Sequence, residues 1–147
     1  MSVEETRRVM EGYFGGHGGL WFAEDVAFHD MSQPEPVRGR AAVQAWLDTF
    51  YHGAFANARA DEARLVAGDG IAAADWVFKG RHVGSLMGEV PSNRLVEVPM
   101  AAVYEVVGGE IVRAHLYYDS ATLLRQLQAA SNPQPVPVDA PEASRGE

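Results

Sequence analysis

Apolar side chains recur along this chain with two different periods. In the first segment Val3, Val9, Met10, Tyr13 and Phe14 fall on one face of a helix, and Ser2 with Glu5 forms a capping-box signature at its start. The pattern predicts a helix to about Phe14. Gly15-Gly16-His17-Gly18-Gly19 then reads as a loop, because so dense a glycine run gives a helix little to hold it. A turn at Leu20-Trp21-Phe22 leads to a brief strand around Asp25–Asp30. Val43, Trp46, Leu47 and Phe50 recur at i, i+3, i+4 and i+7, predicting a second helix over Ala41–His52 with Gly53 as its stop. His17 and His52 read as solvated, one in the loop and one at the helix end.

From there the period changes to two. Arg59–Ala67 alternates imperfectly, Gly68-Asp69-Gly70 is a turn, and Ile71–Val83 is long and rich in strand formers. A loop with Gly84, Gly88, Pro91 and Asn93 separates it from Arg94–Val107. Gly108-Gly109 is a two-residue hairpin connection, and Glu110–Tyr118 is the last strand. Asp119-Ser120 opens a short final helix carrying Leu123, Leu124 and Leu127. Helices first, then a meander of long strands, predict an α+β domain: a cone-shaped, curved antiparallel β-sheet with the N-terminal helices packed on it and a short C-terminal helix. Such a cone encloses a pocket.

Composition narrows what that pocket serves. With 147 residues, 47% of them hydrophobic and 22% charged, the chain has the make-up of one globular domain, not a disordered one. We assign the domain to residues 1–130. Residues 131–147 hold Pro133, Pro135, Pro137 and Pro141 without apolar periodicity, and read as a disordered tail. A net charge of −8 disfavours phosphate backbones and anionic lipid, so neither nucleic acid nor membrane is an expected partner. The acidic start lacks the basic and apolar regions of a secretory leader, so a cytoplasmic protein is expected. The absence of cysteine excludes a disulfide framework, a thiolate metal site and a cysteine nucleophile. No two histidines have the spacing that pre-organises a metal ligand pair, and no metal is expected.

Strand parity then sorts candidate pocket residues. On Ile71–Val83 the even positions Ala74, Trp76, Phe78, Gly80 and His82 face inward. On Arg94–Val107 the inward set is Val98, Met100, Ala102, Tyr104 and Val106. On the last strand Val112, Ala114, Leu116 and Tyr118 share one face, and Arg113, His115 and Tyr117 share the other, with Asp119 following. Polarity does not settle which of those faces is inside. Tyr13, Trp76, Phe78, Met100 and Tyr104 form an aromatic, methionine-containing set. Each alone is ordinary core; together on a cone interior they suit a large, flat apolar ligand.

His82-Val83-Gly84, Met87-Gly88 with Arg94, Met100–Val106, Gly109-Glu110-Ile111-Val112, Tyr117-Tyr118-Asp119 and Leu123–Leu127 together resemble the SnoaL-like polyketide cyclases of the nuclear transport factor 2-like superfamily. Phe28-His29-Asp30 and Arg38-Gly39-Arg40 fit the same resemblance, which reaches to about Gln128. It implies a cofactor-independent cyclase of secondary metabolism acting on a polyketide-derived small molecule. It also implies a homodimer paired through the outer sheet face. Asp119 matches the family's acid/base in an intramolecular aldol closure, where desolvation would raise its pKa. The competing reading of Asp119 is a helix N-cap. His82 is either a donor that polarises a substrate carbonyl or a satisfied core histidine. Tyr117 and His115 join Tyr13, Trp76, Phe78, Met100 and Tyr104 as expected substrate contacts. Three other functions fit the scaffold: a shaped template for pericyclic closure, an epoxide hydrolase or steroid-type isomerase, and a binding module without catalysis.

Overall fold

The computed structural model describes residues 2–16 and 18–131. Helix α1 spans Val3–Gly16, and a single 3-10 turn covers Gly19–Trp21. Strand β1 (Phe22–Asp30) and the two-residue β2 (Val37–Arg38) precede α2 (Arg40–Asp48), whose end widens into a π-type turn over Thr49–Ala54. Four long strands follow: β3 (Phe55–Ala67), β4 (Ile71–His82), β5 (Leu95–Val107) and β6 (Glu110–Tyr118). Helix α3 closes the described chain over Ser120–Ser131. His17 and residues 132–147, on which the loop histidine and nearly all of the expected tail fall, lie outside the described residues.

The N-terminus of α1 is capped as its sequence predicts, with the Glu5 backbone N–H donating to Ser2 Oγ at 3.1 Å. Thr6, fully buried, accepts from the backbone N–H of Gly70 at 2.9 Å and so ties the helix start to the β3–β4 turn. The helix runs through Gly15 and Gly16 instead of stopping before them. Its buried face (Val9, Met10, Tyr13) is seated on the sheet, and packing carries the last turn past weak formers. Gly12 is required where it stands, because the Trp21 indole occupies the space a Cβ would need.

The six strands form one sheet in the order β2-β1-β6-β5-β4-β3, antiparallel except for the parallel pair β1–β6. That pair joins segments nearly ninety positions apart, a pairing no local pattern announces. The imperfect alternation of β3 has a structural cause. Its pairing with β4 shifts register between Ala56 and Arg59 and again between Asp61 and Arg64, and Asn57 and Glu62 take left-handed backbone there, with φ of 55° and 58°. Such bulges bend and twist a strand, curling this edge of the sheet.

The three helices lie on the concave face, α1 against β3 and β4, α2 against β1, and α3 against β5. The core there includes Met10, Tyr13, Phe22, Phe28, Phe55, Phe78, Tyr104 and Leu127, all nearly or fully buried. Strands β4 and β5 present their even positions inward, as parity predicts. On β6 the inward residues are Ile111, Ala114 and Leu116, and the half-buried Tyr118 continues that face. His115 and Tyr117 therefore face out, correcting the expectation that they contact a ligand in the pocket. No helix among the described residues is long and apolar enough to cross a membrane.

Candidate active site

The concave face holds two connected spaces. The inner one is a narrow throat of about 20 Å³, room for a single water-sized group. Its walls come from Tyr13 and Phe14 of α1, Trp46 and Phe50 at the end of α2, and Trp76, Met100 and Tyr104 of the sheet. The outer one is a vestibule of about 420 Å³, walled by the Gln33–Glu35 segment, Val37, Leu86, Met87 and Leu123. Asp30, Trp46, Phe50 and Tyr118 line both spaces, so they stand where the vestibule narrows.

Asp30 ends β1 on the same face as Val26 and Phe28, an acidic group on an apolar stripe. Its Oδ1 accepts the Ser32 backbone N–H at 2.9 Å and the Ser32 hydroxyl at 2.7 Å, a turn that fixes the carboxylate. Its Oδ2 accepts the Tyr118 hydroxyl at 2.8 Å, from the adjoining strand. Burial, with the carboxylate of Asp30 nearby, pushes the Tyr118 phenol up to about 12, so it is a proton donor throughout the neutral range. Outside the cone, His29 Nε2–H donates to the Gln33 carbonyl at 2.8 Å, bracing the turn that carries Ser32.

The throat is rich in neutral donors. Burial, followed by the neighbouring phenols, raises Tyr13 well above its ordinary value; burial, followed by Tyr51, likewise raises Tyr104. Burial pushes Tyr51 up to about 12. Phenols held this way stay protonated and can stabilise a developing negative oxygen. The Trp76 indole Nε1 is buried with no hydrogen-bond partner among the described residues. Among the described residues lining the two spaces, the charged side chains are the acids Asp30 and Glu35, with no lysine, arginine or histidine.

Of the residues expected at the site, Tyr13, Trp76, Met100 and Tyr104 line the throat. Phe78 does not; it is fully buried behind it, with its ring 4.8 Å from that of Phe55 and 5.0 Å from that of Phe50. His82 is also fully buried and off the cavity. Its Nδ1 lies 3.0 Å from Ser92 Oγ and accepts the Ser92 backbone N–H at 3.3 Å, so it pins the loop after β4 and is in no position to polarise a carbonyl in the throat. His115 faces out, paired across the strands with His29, the rings 6.1 Å apart.

Asp119 corrects the expectation of a desolvated carboxylate on the pocket floor. It is exposed and caps α3: Oδ1 accepts the backbone N–H groups of Ala121 and Thr122 at 3.0 and 3.3 Å, and Oδ2 accepts the Thr122 hydroxyl at 2.8 Å. The Thr122 hydroxyl and backbone N–H hold its pKa below the ordinary 3.8, the opposite of the expected shift. The residues the sequence reading missed are Asp30 and Tyr118. Parity with Phe28 marked Asp30, and parity with Leu116 marked Tyr118, once the inward face of β6 is known.

With the fold and this cavity in hand, the similarity to known proteins becomes informative. The sequence pattern of the SnoaL-like polyketide cyclases matches residues 18–127. The chain belongs to that family. No curated protein matches it. Among solved structures it is similar to a proposed SnoaL-like polyketide cyclase from Jannaschia sp. CCS1, with a TM-score of 0.78 at 14% identity over 86% of this chain and 93% of that one. A proposed polyketide cyclase from Xanthomonas campestris gives 0.76 at 21% identity over 85% and 98%. A proposed ketosteroid isomerase from Kribbella flavida gives 0.60 at 20% identity over 80% and 79%. At these identities the structures attest the shared fold.

Proposed function

We infer that the protein is a cofactor-independent cyclase that closes a ring in a neutral polyketide-derived molecule by acid/base chemistry, with Asp30 as the proton carrier. The observation that carries this reading is a fixed carboxylate at the junction of vestibule and throat, facing buried phenols. Asp30 takes a proton from carbon beside a carbonyl, and the resulting enolate carbon attacks a second carbonyl of the same molecule. One carbon–carbon bond forms, and the new alkoxide takes the proton back from the Asp30 carboxyl, so the step is an isomerisation with no co-reactant. Tyr118 orients the carboxylate, and the protonated phenols stabilise the enolate oxygen. The acidic charge of the described lining supports a neutral substrate, and no arginine among the described lining residues supports epoxide hydration.

The same arrangement of base and phenols also supports a second reading, transfer of a proton between two carbons of an enone, as in a steroid-type isomerase. Deleting the gene and profiling metabolites by mass spectrometry separates the two. A cyclase leaves an uncyclised isomer of the final product, and an isomerase leaves a double-bond isomer with its rings intact. Unchanged metabolites would sink both readings and favour a binding module.

A homodimer through the outer sheet face belongs to the same proposal. Val103 and Tyr117 stand exposed there on adjoining strands, uncovered by any helix among the described residues. Sedimentation at micromolar concentration is expected to give twice the monomer mass, and a single-chain mass would refute the pairing. Confinement to the cytoplasm is likewise proposed, and fractionation of the cells checks it.

A further inference from the structure

We propose that the Trp76 indole N–H is a ligand-binding group, donating to a carbonyl oxygen that enters the throat from a neutral ring ketone seated in the vestibule. This rests on the reading of the two spaces as the substrate site and names what the inner one receives.

Trp76 is 6% exposed, and its Nε1 finds no acceptor among the described residues. Buried donors are nearly always paired, because leaving one bare forfeits its hydration without return. Its neighbours in the throat cannot pair it well. Phe14 meets the indole with its ring at 5.5 Å, nearly edge-on, and Met100 beside it offers a thioether, a weak acceptor.

The size of the throat selects the group. About 20 Å³ admits one oxygen atom with little to spare, and no ring. The ring system therefore stays in the vestibule and sends a single substituent inward. Charge selects it further: a carboxylate or phosphate would meet Asp30 and Glu35, and no described lining residue is a cation that would offset them. A neutral carbonyl oxygen satisfies the indole and meets neither objection.

Strand register places the two ends of the throat. Trp76 pairs with Met100, and Met100 pairs with Tyr118, so these residues form one inward rung across β4, β5 and β6. Strands lie about 4.8 Å apart, which sets the Trp76 and Tyr118 backbones roughly 10 Å apart across the throat. Tyr118 holds Asp30. A ketone oxygen on Trp76 would thus lie on the same rung as the tyrosine that holds the carboxylate.

The test is a titration of the full-length, nitrogen-15-labelled protein with α-tetralone, a neutral bicyclic ketone, and with tetralin, its deoxy counterpart. The indole signals of Trp21, Trp46 and Trp76 are assigned from single Trp→Phe variants. The expected result is a downfield shift of the Trp76 indole proton with α-tetralone and none with tetralin. Trp76→Phe is expected to bind α-tetralone about tenfold more weakly and tetralin unchanged, the size of one lost hydrogen bond. If α-tetralone moves Trp46 and leaves Trp76 still, the vestibule binds ketones but the inference fails. Equal shifts of Trp76 by both compounds would also overturn it, since ring proximity would then explain them. If neither indole moves, the site reading itself fails and takes the inference with it.

Discussion

Two aspartates end two strands of this sheet with nearly the same local chemistry. Asp30 closes β1 and Asp119 follows β6, and each accepts backbone N–H and hydroxyl donors from the residues just after it. They differ in the third dimension. Among the described residues, every hydrogen-bond partner of Asp119 belongs to the helix it caps, and the carboxylate is exposed. Asp30 receives one hydroxyl from another strand and lines the cavity. A cap spends its lone pairs on its own helix, whereas a carboxylate gripped from outside its segment is aimed. The same residue type at equivalent strand ends is thus a helix cap in one place and, in the proposed mechanism, the proton carrier in the other.

The sharpest way to break that contrast is to neutralise each carboxylate. Asp30→Asn keeps an acceptor oxygen for Ser32, turns an amide N–H₂ toward the Tyr118 hydroxyl and carries no proton, and product formation is expected to fall about 10²- to 10⁴-fold. A loss below fivefold, read by product titre at matched protein levels, would remove Asp30 from the chemistry. Tyr118→Phe strips the one partner that comes from another strand, and about a tenfold fall is expected from a looser carboxylate. Unaltered activity would mean that the Ser32 turn alone fixes it.

Asp119→Ala should act on stability and leave the chemistry alone. Loss of the cap is expected to lower Tm by a few degrees with activity per folded molecule unchanged. Because the folded pKa of Asp119 is depressed, its stabilisation is present above the ordinary 3.8 and disappears as pH falls through the lowered value. The Tm gap between wild type and Asp119→Ala should therefore close in strong acid, and a gap that persists there would contradict the capping role of the charge.

The smallest effect concerns two phenols that line the throat. Tyr51 and Tyr118 have folded pKa values raised to about 12, so their contribution is complete below pH 10 and lost as pH rises through about 12. Thermal scans should show no loss from these groups until pH exceeds 10. Ultraviolet titration should find at least two tyrosines ionising only near 12, and their ionisation near 10 would show the throat to be wet.

The sequence made the long elements legible because each carries its own period. The bounds of β6 follow from the hairpin glycines and the residues that open α3, and the even faces of β4 and β5 from parity. The parallel pairing of β1 with β6 was hidden, since it joins distant segments. The inward face of β6 was hidden too, because both faces of that strand mix apolar and polar residues. That choice decided the site. A shift of one residue exchanges Tyr118 for Tyr117 and hides Asp30, whose side chain gains meaning only beside Tyr118. His82 misled for a related reason: an inward histidine on a strand does not show whether its face is cavity or closed core.

The most direct test of the contrast is to complement the gene deletion with Asp30→Asn and Asp119→Asn in parallel and to measure the cyclised product by mass spectrometry. Asparagine caps a helix about as well as aspartate and also forms the side-chain turn that Asp30 makes with Ser32, so neither change should cost the fold. The account predicts that Asp119→Asn restores the product and Asp30→Asn does not. Restoration by Asp30→Asn with failure of Asp119→Asn would contradict it, and would return the proton transfer to the residue at the start of α3.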